Sequence, residues 1–177
     1  MKKIIIKKET KIQNLYVFES QKFHDKRGSF QRVFCKKELK KIINKNIVQA
    51  NISINPKIGT FRGLHYQIGK FSEDKLITCI QGSIFDIAVE IKSLKNKKYK
   101  IHTEILSDKN KKMIYIPKGV AHGFQTLKKN TIVLYFHTNY YSADHQKTIG
   151  VKSKLLNIKL PKKITMISKK DNLNYGM

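Results

Sequence analysis

The stretch KLITCIQGSIFDIAVEIK, residues 75–92, decides the fold. Two runs of apolar residues, rich in Ile and Val, flank Gln81-Gly82-Ser83. Side chains branched at Cβ pack well on a pleated surface, and glycine supplies the backbone freedom of a tight turn. The spacing predicts two strands joined as a short hairpin. Asp86 falls inside the second run and marks a polar position on an apolar strand.

The same signals recur outward along the chain. NLYVFES (14–20), SFQRVFC (29–35), IVQANISI (47–54), YKIHTEIL (99–106), KMIYIP (112–117) and TIVLYFHTNYY (131–141) combine β-branched and aromatic residues with period-2 alternation. SDKNKK (107–112) reads as a polar turn between strands, and KKELKKIINKN (36–46) as one short helix with Leu39, Ile42 and Ile43 at helical spacing. Strands at roughly ten-residue intervals imply an all-β sandwich or barrel with short peripheral helices. A chain of 177 residues with no linker or repeat is expected to form a single domain over 1–177. The polar tail after Pro161 is expected to be peripheral.

Composition narrows the function. No apolar run reaches the roughly 18 residues of a membrane span, and the N-terminal MKKIIIKKET is too short in apolar residues for a signal sequence, so a cytoplasmic location is expected. Cys35 and Cys79 lack the spacing of a disulfide framework or a zinc site. The net charge of +25 would suit nucleic acid, but lysine is spread along the chain and no nucleic-acid-binding motif accompanies it. A positive field still favours small anionic ligands. Among 37 basic residues only Arg27, Arg32 and Arg62 are arginine. Lysine serves as a solvated point charge, whereas arginine offers a planar fork that grips phosphate, so these three mark places where geometry matters. In GTFRGLHYQ (59–67), Arg62 and His65 stand three apart. A regular strand would send them to opposite faces, so a bulge at Gly63 is expected if both serve one site. His122, in IPKGVAHGF (116–124), follows a Pro-x-Gly turn where a strand begins.

Five segments together resemble the dTDP-4-dehydrorhamnose 3,5-epimerase family: FHDKRGSFQRVF (23–34), VQANISINPKIGTFRGLHYQ (48–67), DKLITCIQGSIFDIAVEIK (74–92), IYIPKGVAHGFQTL (114–127) and VLYFHTNYYSADH (133–145). The resemblance implies a cupin-type jelly roll, usually a homodimer, that epimerises a nucleotide-linked 4-keto-6-deoxy sugar without metal or cofactor. The usual cupin metal pair His-x-His is absent, since Gln67 stands two after His65. Hydrogens α to a ketone are removed through an enolate and returned on the other face, which needs a base, an acid and a cation at the enolate oxygen. By resemblance His65 is the base, Asp171 in ISKKD (167–171) its partner, Tyr135 the acid and Lys75 the cation. Arg27 and Arg62 match diphosphate-binding arginines. Gln49, Asn51, His122 and Tyr141 resemble pocket residues, and Asp86 would hydrogen-bond His65 or its surroundings.

Two departures bear on the substrate. Arg32 stands where the family carries a glutamate in its nucleotide site. A carboxylate accepts the thymine N3 proton, while arginine only donates and matches guanine O6 and N7, so a GDP-linked substrate is expected here. The family's tryptophan-rich segment is replaced by GVKSKLLNIKLP (150–161), and the chain has no Trp, which admits a heptose as well as a hexose. A ketoisomerase on the same fold and a non-catalytic nucleotide-sugar-binding cupin are the alternative readings.

Overall fold

In a computed structural model, residues 5–92, 100–153 and 156–172 are described; the expected single domain over 1–177 therefore extends beyond them at both ends. Thirteen strands, a short α-helix and a 3-10 turn at Gly69–Phe71 are the elements among these residues: β1 (Ile5–Glu9), β2 (Tyr16–Ser20), β3 (Lys22–Asp25), β4 (Gly28–Gln31), α1 (Lys36–Leu39), β5 (Gln49–Asn55), β6 (Phe61–Gln67), β7 (Lys75–Gln81), β8 (Ser83–Glu90), β9 (Ile101–Ser107), β10 (Lys112–Ile116), β11 (Val120–Thr126), β12 (Thr131–His137) and β13 (Gln146–Thr148). One sheet runs β1-β2-β10-β7-β12-β5, a second β13-β6-β11-β8-β9, and β3-β4 form a separate hairpin. The all-β jelly-roll expectation therefore holds. α1 is shorter than the predicted helix: it ends at Leu39, and a turn carries Leu39 and Ile43 into the core beside β2 and β10. No helix among the described residues is long and apolar enough to cross a membrane.

The stretch that suggested a hairpin makes a corner instead. β7 lies in the six-stranded sheet and β8 in the five-stranded one, so Gly82 carries the chain from one layer to the other. The polar turn at 107–112 does the same between β9 and β10. Local sequence carries the turn but not the partner of each strand, because hairpins and corners both need a glycine between apolar runs. Gly82 has φ +81°, and a Cβ there would sit 2.5 Å from Thr131 Oγ1.

Between the sheets, Ile77, Ile114 and Val133 from one side meet Ile84, Ala88, Leu106 and Phe124 from the other. β8 is buried along nearly its whole length rather than on alternate residues. Its inner residues pack on the opposing sheet, and its outer residues Ile87 and Val89 are covered by Ile149, Val151, Leu156, Ile158, Ile164 and Ile167. Full burial of each such side chain contributes about 1.5–3 kcal/mol. The tail expected to be peripheral is thus part of the fold up to its last described residues. It is stitched on by Phe61 N–H to Met166 O (2.8 Å) and Thr165 N–H to Gly59 O (3.0 Å). The segment replacing the tryptophan-rich one supplies several of these covering residues, and its positions 154 and 155 lie outside the described residues.

Gly82→Ala is expected to destabilise the protein by about 1–3 kcal/mol, since it combines a left-handed backbone with a clash at Thr131. Chemical denaturation of both proteins checks this, and an unchanged midpoint would contradict the corner's geometry.

Candidate active site

A cavity of about 610 Å³ opens between the sheets. β6 and β11 form one wall, β5, β7 and β12 the other, and the tail residues Met166, Ser168 and Asp171 close one side. The expected bulge at Gly63 is present. His65 pairs with His122 and Arg62 with Phe124, so three steps along β6 match two along β11. One extra residue restores both side chains to one face, and Arg62 and His65 both line the cavity. Gly63 has φ +117°, and a Cβ there would meet Gly123 Cα at 2.5 Å and His122 O at 2.7 Å.

His65 Nε2 lies 2.7 Å from Asp171 Oδ1, and the Gly63 N–H donates to Asp171 Oδ2 at 3.0 Å. An ionised carboxylate only accepts, so Nε2 carries the proton and Nδ1 is left as the basic nitrogen. Burial opposes the charge on Asp171, but hydrogen bonds from His65, Gly63 and Ser168 outweigh it and hold the carboxyl below its ordinary range. Across the cavity, Tyr135 is held protonated: burial pushes its hydroxyl well above the usual range, and the negative charge of Asp86 adds to this. Lys75 is buried and donates to His65 O at 3.3 Å. Burial lowers its pKa, while the charge of Glu73 and a hydrogen bond to it push the other way. Arg62 Nε donates to Asn55 Oδ1 at 2.8 Å, which leaves the terminal nitrogens of its fork for a ligand.

Other expected site residues lie elsewhere. Asp86 does not reach His65 or line the cavity; its Oδ2 accepts from His122 Nε2 at 2.7 Å, behind the wall that His122 forms. The inward parity of β8 places it under β11, not under β6. Arg27 forks onto Asp25 within its own hairpin, and its guanidinium is 90% exposed. Arg32 is ion-paired with Glu38 of α1. Neither lines the cavity of its own chain, because the β3-β4 hairpin stands apart from both sheets. Gln49 sits at the rim, where its Oε1 accepts from the Tyr141 N–H at 3.1 Å, and Tyr141 and Asn51 line the cavity. Glu73 and His137 also line it, and sequence reasoning passed over both. A signal existed: with 12 acidic residues in the chain, a glutamate two before a strand-initiating lysine is as informative as a scarce arginine. Among the described residues, no group of three or more His, Cys, Asp or Glu side chains is arranged to hold a metal ion.

Fold and site together define a jelly-roll protein whose cavity gathers a His–Asp pair, a buried protonated tyrosine, a lysine and an arginine, equipment for moving protons beside a carbonyl in an anionic ligand. The sequence model of dTDP-4-dehydrorhamnose 3,5-epimerase matches residues 9–176. The chain belongs to that family and is an epimerase of the isomerase class. It is 36% identical to the dTDP-4-dehydrorhamnose 3,5-epimerase of Sinorhizobium fredii over 91% of this chain and 84% of the relative. The Shigella flexneri enzyme is 34% identical over 92% and 91%. The Bacillus anthracis enzyme, crystallised with TDP and PPi, superposes with a TM-score of 0.89 at 35% identity, covering 96% of this chain and 97% of that one. The Legionella pneumophila enzyme in complex with dTDP-4-keto-L-rhamnose gives 0.85 at 32% identity, covering 94% and 89%.

The depressed pKa of Asp171 fixes a sign. Its contribution to stability is full above the ordinary value of 3.8 and is lost as pH falls through the lower folded value. The stability gap between the wild type and Asp171→Asn is therefore expected to be largest near neutrality and to shrink below about pH 4. Urea unfolding at pH 7 and pH 3 measures it; a gap that grows on acidification would contradict the pairing.

Proposed function

We propose that the chain inverts C3, C5 or both in a dTDP-linked 4-keto-6-deoxyhexose, by removal and return of hydrogens α to the ketone. The observation that carries this reading is the placement of the His65–Asp171 pair and the protonated Tyr135 on one cavity. His65 Nδ1 takes the hydrogen, with Asp171 stabilising the imidazolium that forms. The Lys75 ammonium meets the enolate oxygen. Tyr135 returns a proton, and Arg62 holds the diphosphate. A cytoplasmic setting and action without a cofactor belong to the same proposal.

The expectation of a GDP-linked substrate is not carried forward. It rested on Arg32, which is paired with Glu38 off the cavity, and the similar enzymes are named for dTDP sugars. Without that argument a thymidine nucleotide is the better-supported ligand.

We also propose a homodimer through β5. This strand is the edge of the six-stranded sheet, and its outward residues Ile52 and Ile54 are 61% and 64% exposed. An apolar edge strand is a template for pairing with a second copy.

Incubation with dTDP- and GDP-linked 4-keto-6-deoxyhexoses in D2O is expected to place deuterium at C3 or C5 of the dTDP sugar. Loss of a general base or acid costs about 10²–10⁴-fold, so His65→Ala should abolish exchange and Tyr135→Phe should slow turnover by that factor. Movement of the carbonyl would indicate a ketoisomerase, absence of exchange a binding protein, and preference for the GDP sugar would refute the nucleotide assignment. Sedimentation of wild type is expected to show a dimer and of Ile52→Lys/Ile54→Lys a monomer; a monomeric wild type refutes the β5 interface.

A further inference from the structure

A hydrogen-bonded chain crosses the cavity wall without entering the reaction scheme above. Glu73 lies just before β7, with its side chain 7% exposed. Its Oε1 is 3.4 Å from Lys75 Nζ, and its Oε2 is 2.7 Å from His137 Nδ1. The other nitrogen of His137, Nε2, is 3.2 Å from Asn51 Nδ2. The His137 ring stacks on Tyr135, with centroids 6.1 Å apart and planes 21° from parallel. Backbone register holds the set together: His137 pairs with Lys75 on β7 and with Gln49 on β5, and Tyr135 with Asn51. Glu73, Lys75, His137 and Asn51 all line the cavity.

The donors and acceptors along this chain leave one consistent arrangement. Ionised Glu73 can only accept, so His137 Nδ1 carries the ring proton. Nε2 faces the Asn51 amide nitrogen, which is a donor, so Nε2 accepts from it. The Asn51 oxygen is left as an acceptor for a ligand. At the other end, an ammonium has three donors. One goes to His65 O and one to Glu73, which leaves the third for an oxygen in the cavity. The charged and titratable groups facing Lys75 are Glu73 and, through space, Asp86; those facing His137 are Glu73 and Tyr135.

We propose that Glu73 and His137 are positioning residues: Glu73 aims the free Lys75 donor at the ketone oxygen, and through His137 it orients Asn51 so that its carbonyl accepts from a sugar hydroxyl. The proposal rests on the reading that the cavity takes a 4-keto nucleotide sugar. It adds a specificity rule: the site favours a sugar with a hydroxyl, a donor, opposite Asn51 over its deoxy or O-methyl analogue.

The test has two arms. Long-range ¹H–¹⁵N correlation of the ligand-free wild type, with the His137 signal assigned by its loss in His137→Phe, is expected to show a neutral ring protonated at Nδ1. The Nε2-protonated tautomer would overturn the relay, and this arm needs no substrate. In kinetics, Glu73→Gln keeps an acceptor for His137 but sets an amide or an uncharged oxygen against Lys75. It is expected to lower kcat by at least about 10-fold with KM changed less than about 2-fold. Glu73→Asp should recover most of the loss, and His137→Phe should raise KM by at least about 5-fold. Unchanged kcat in Glu73→Gln, or no recovery in Glu73→Asp, would overturn the positioning role. If the wild type itself exchanges no deuterium with any 4-keto nucleotide sugar, the functional reading fails, while the tautomer measurement still decides the relay.

Discussion

Gly63 and Gly123 approach so closely that neither tolerates a Cβ, and the site depends on that contact. A Cβ on Gly63 would lie 2.5 Å from Gly123 Cα, and one on Gly123 would lie 2.6 Å from Arg62 O. The close approach lets β6 bulge against β11, which brings Arg62 and His65 to one face. It also turns the Gly63 N–H toward Asp171, so one carboxylate grips both the bulge and the histidine two residues further along. The tail that carries Asp171 is in turn held by the apolar cover over β8. Packing on the outside of one sheet therefore fixes the basic nitrogen on its inside.

Each buried carboxylate in and behind the cavity wall has a partner. Asp171 stands with His65, Asp86 with His122 and Glu73 with Lys75 and His137. Without such a partner, a buried carboxylate would be expensive. Tyr135 sits among these pairs, and burial, aided by the negative charge of Asp86, keeps it protonated against the opposing pull of the Arg62 charge. A weak acid that stays protonated beside a histidine free to accept is the asymmetry that proton removal on one face and return on the other requires. Most of the lysines behind the +25 net charge lie away from this site; among the described residues Lys75 and Lys170 line the cavity, and of the two Lys75 is the buried one.

The readable parts of the site were those whose signal is local. Gly63 beside a strand arginine announced a bulge, and the residue types in GTFRGLHYQ pointed to Arg62 and His65, which both line the cavity. Arg27 and Arg32 lie off the cavity of their own chain, and scarcity shows that an arginine has a geometric partner but not which one. Here the partners are Asp25 and Glu38. Asp86 meets His122, the neighbour of His65 on β11, and not His65 itself; strand order, which seats β8 next to β11, is invisible in the residues of β8 alone. Glu73 and His137 were missed because they are 64 residues apart and meet only across a sheet.

The sequence by itself determined most of the strands, the turns between them, the family and a set of candidate site residues, since each of these is written in short-range pattern or in motif order. Tertiary structure alone decided that Gly82 turns a corner rather than a hairpin, that the polar tail is a structural cover, and which acids serve His122 and His137. The physical reason is the same in each case: a strand's own residues specify its two faces, but its neighbours are chosen by burial summed over the whole chain.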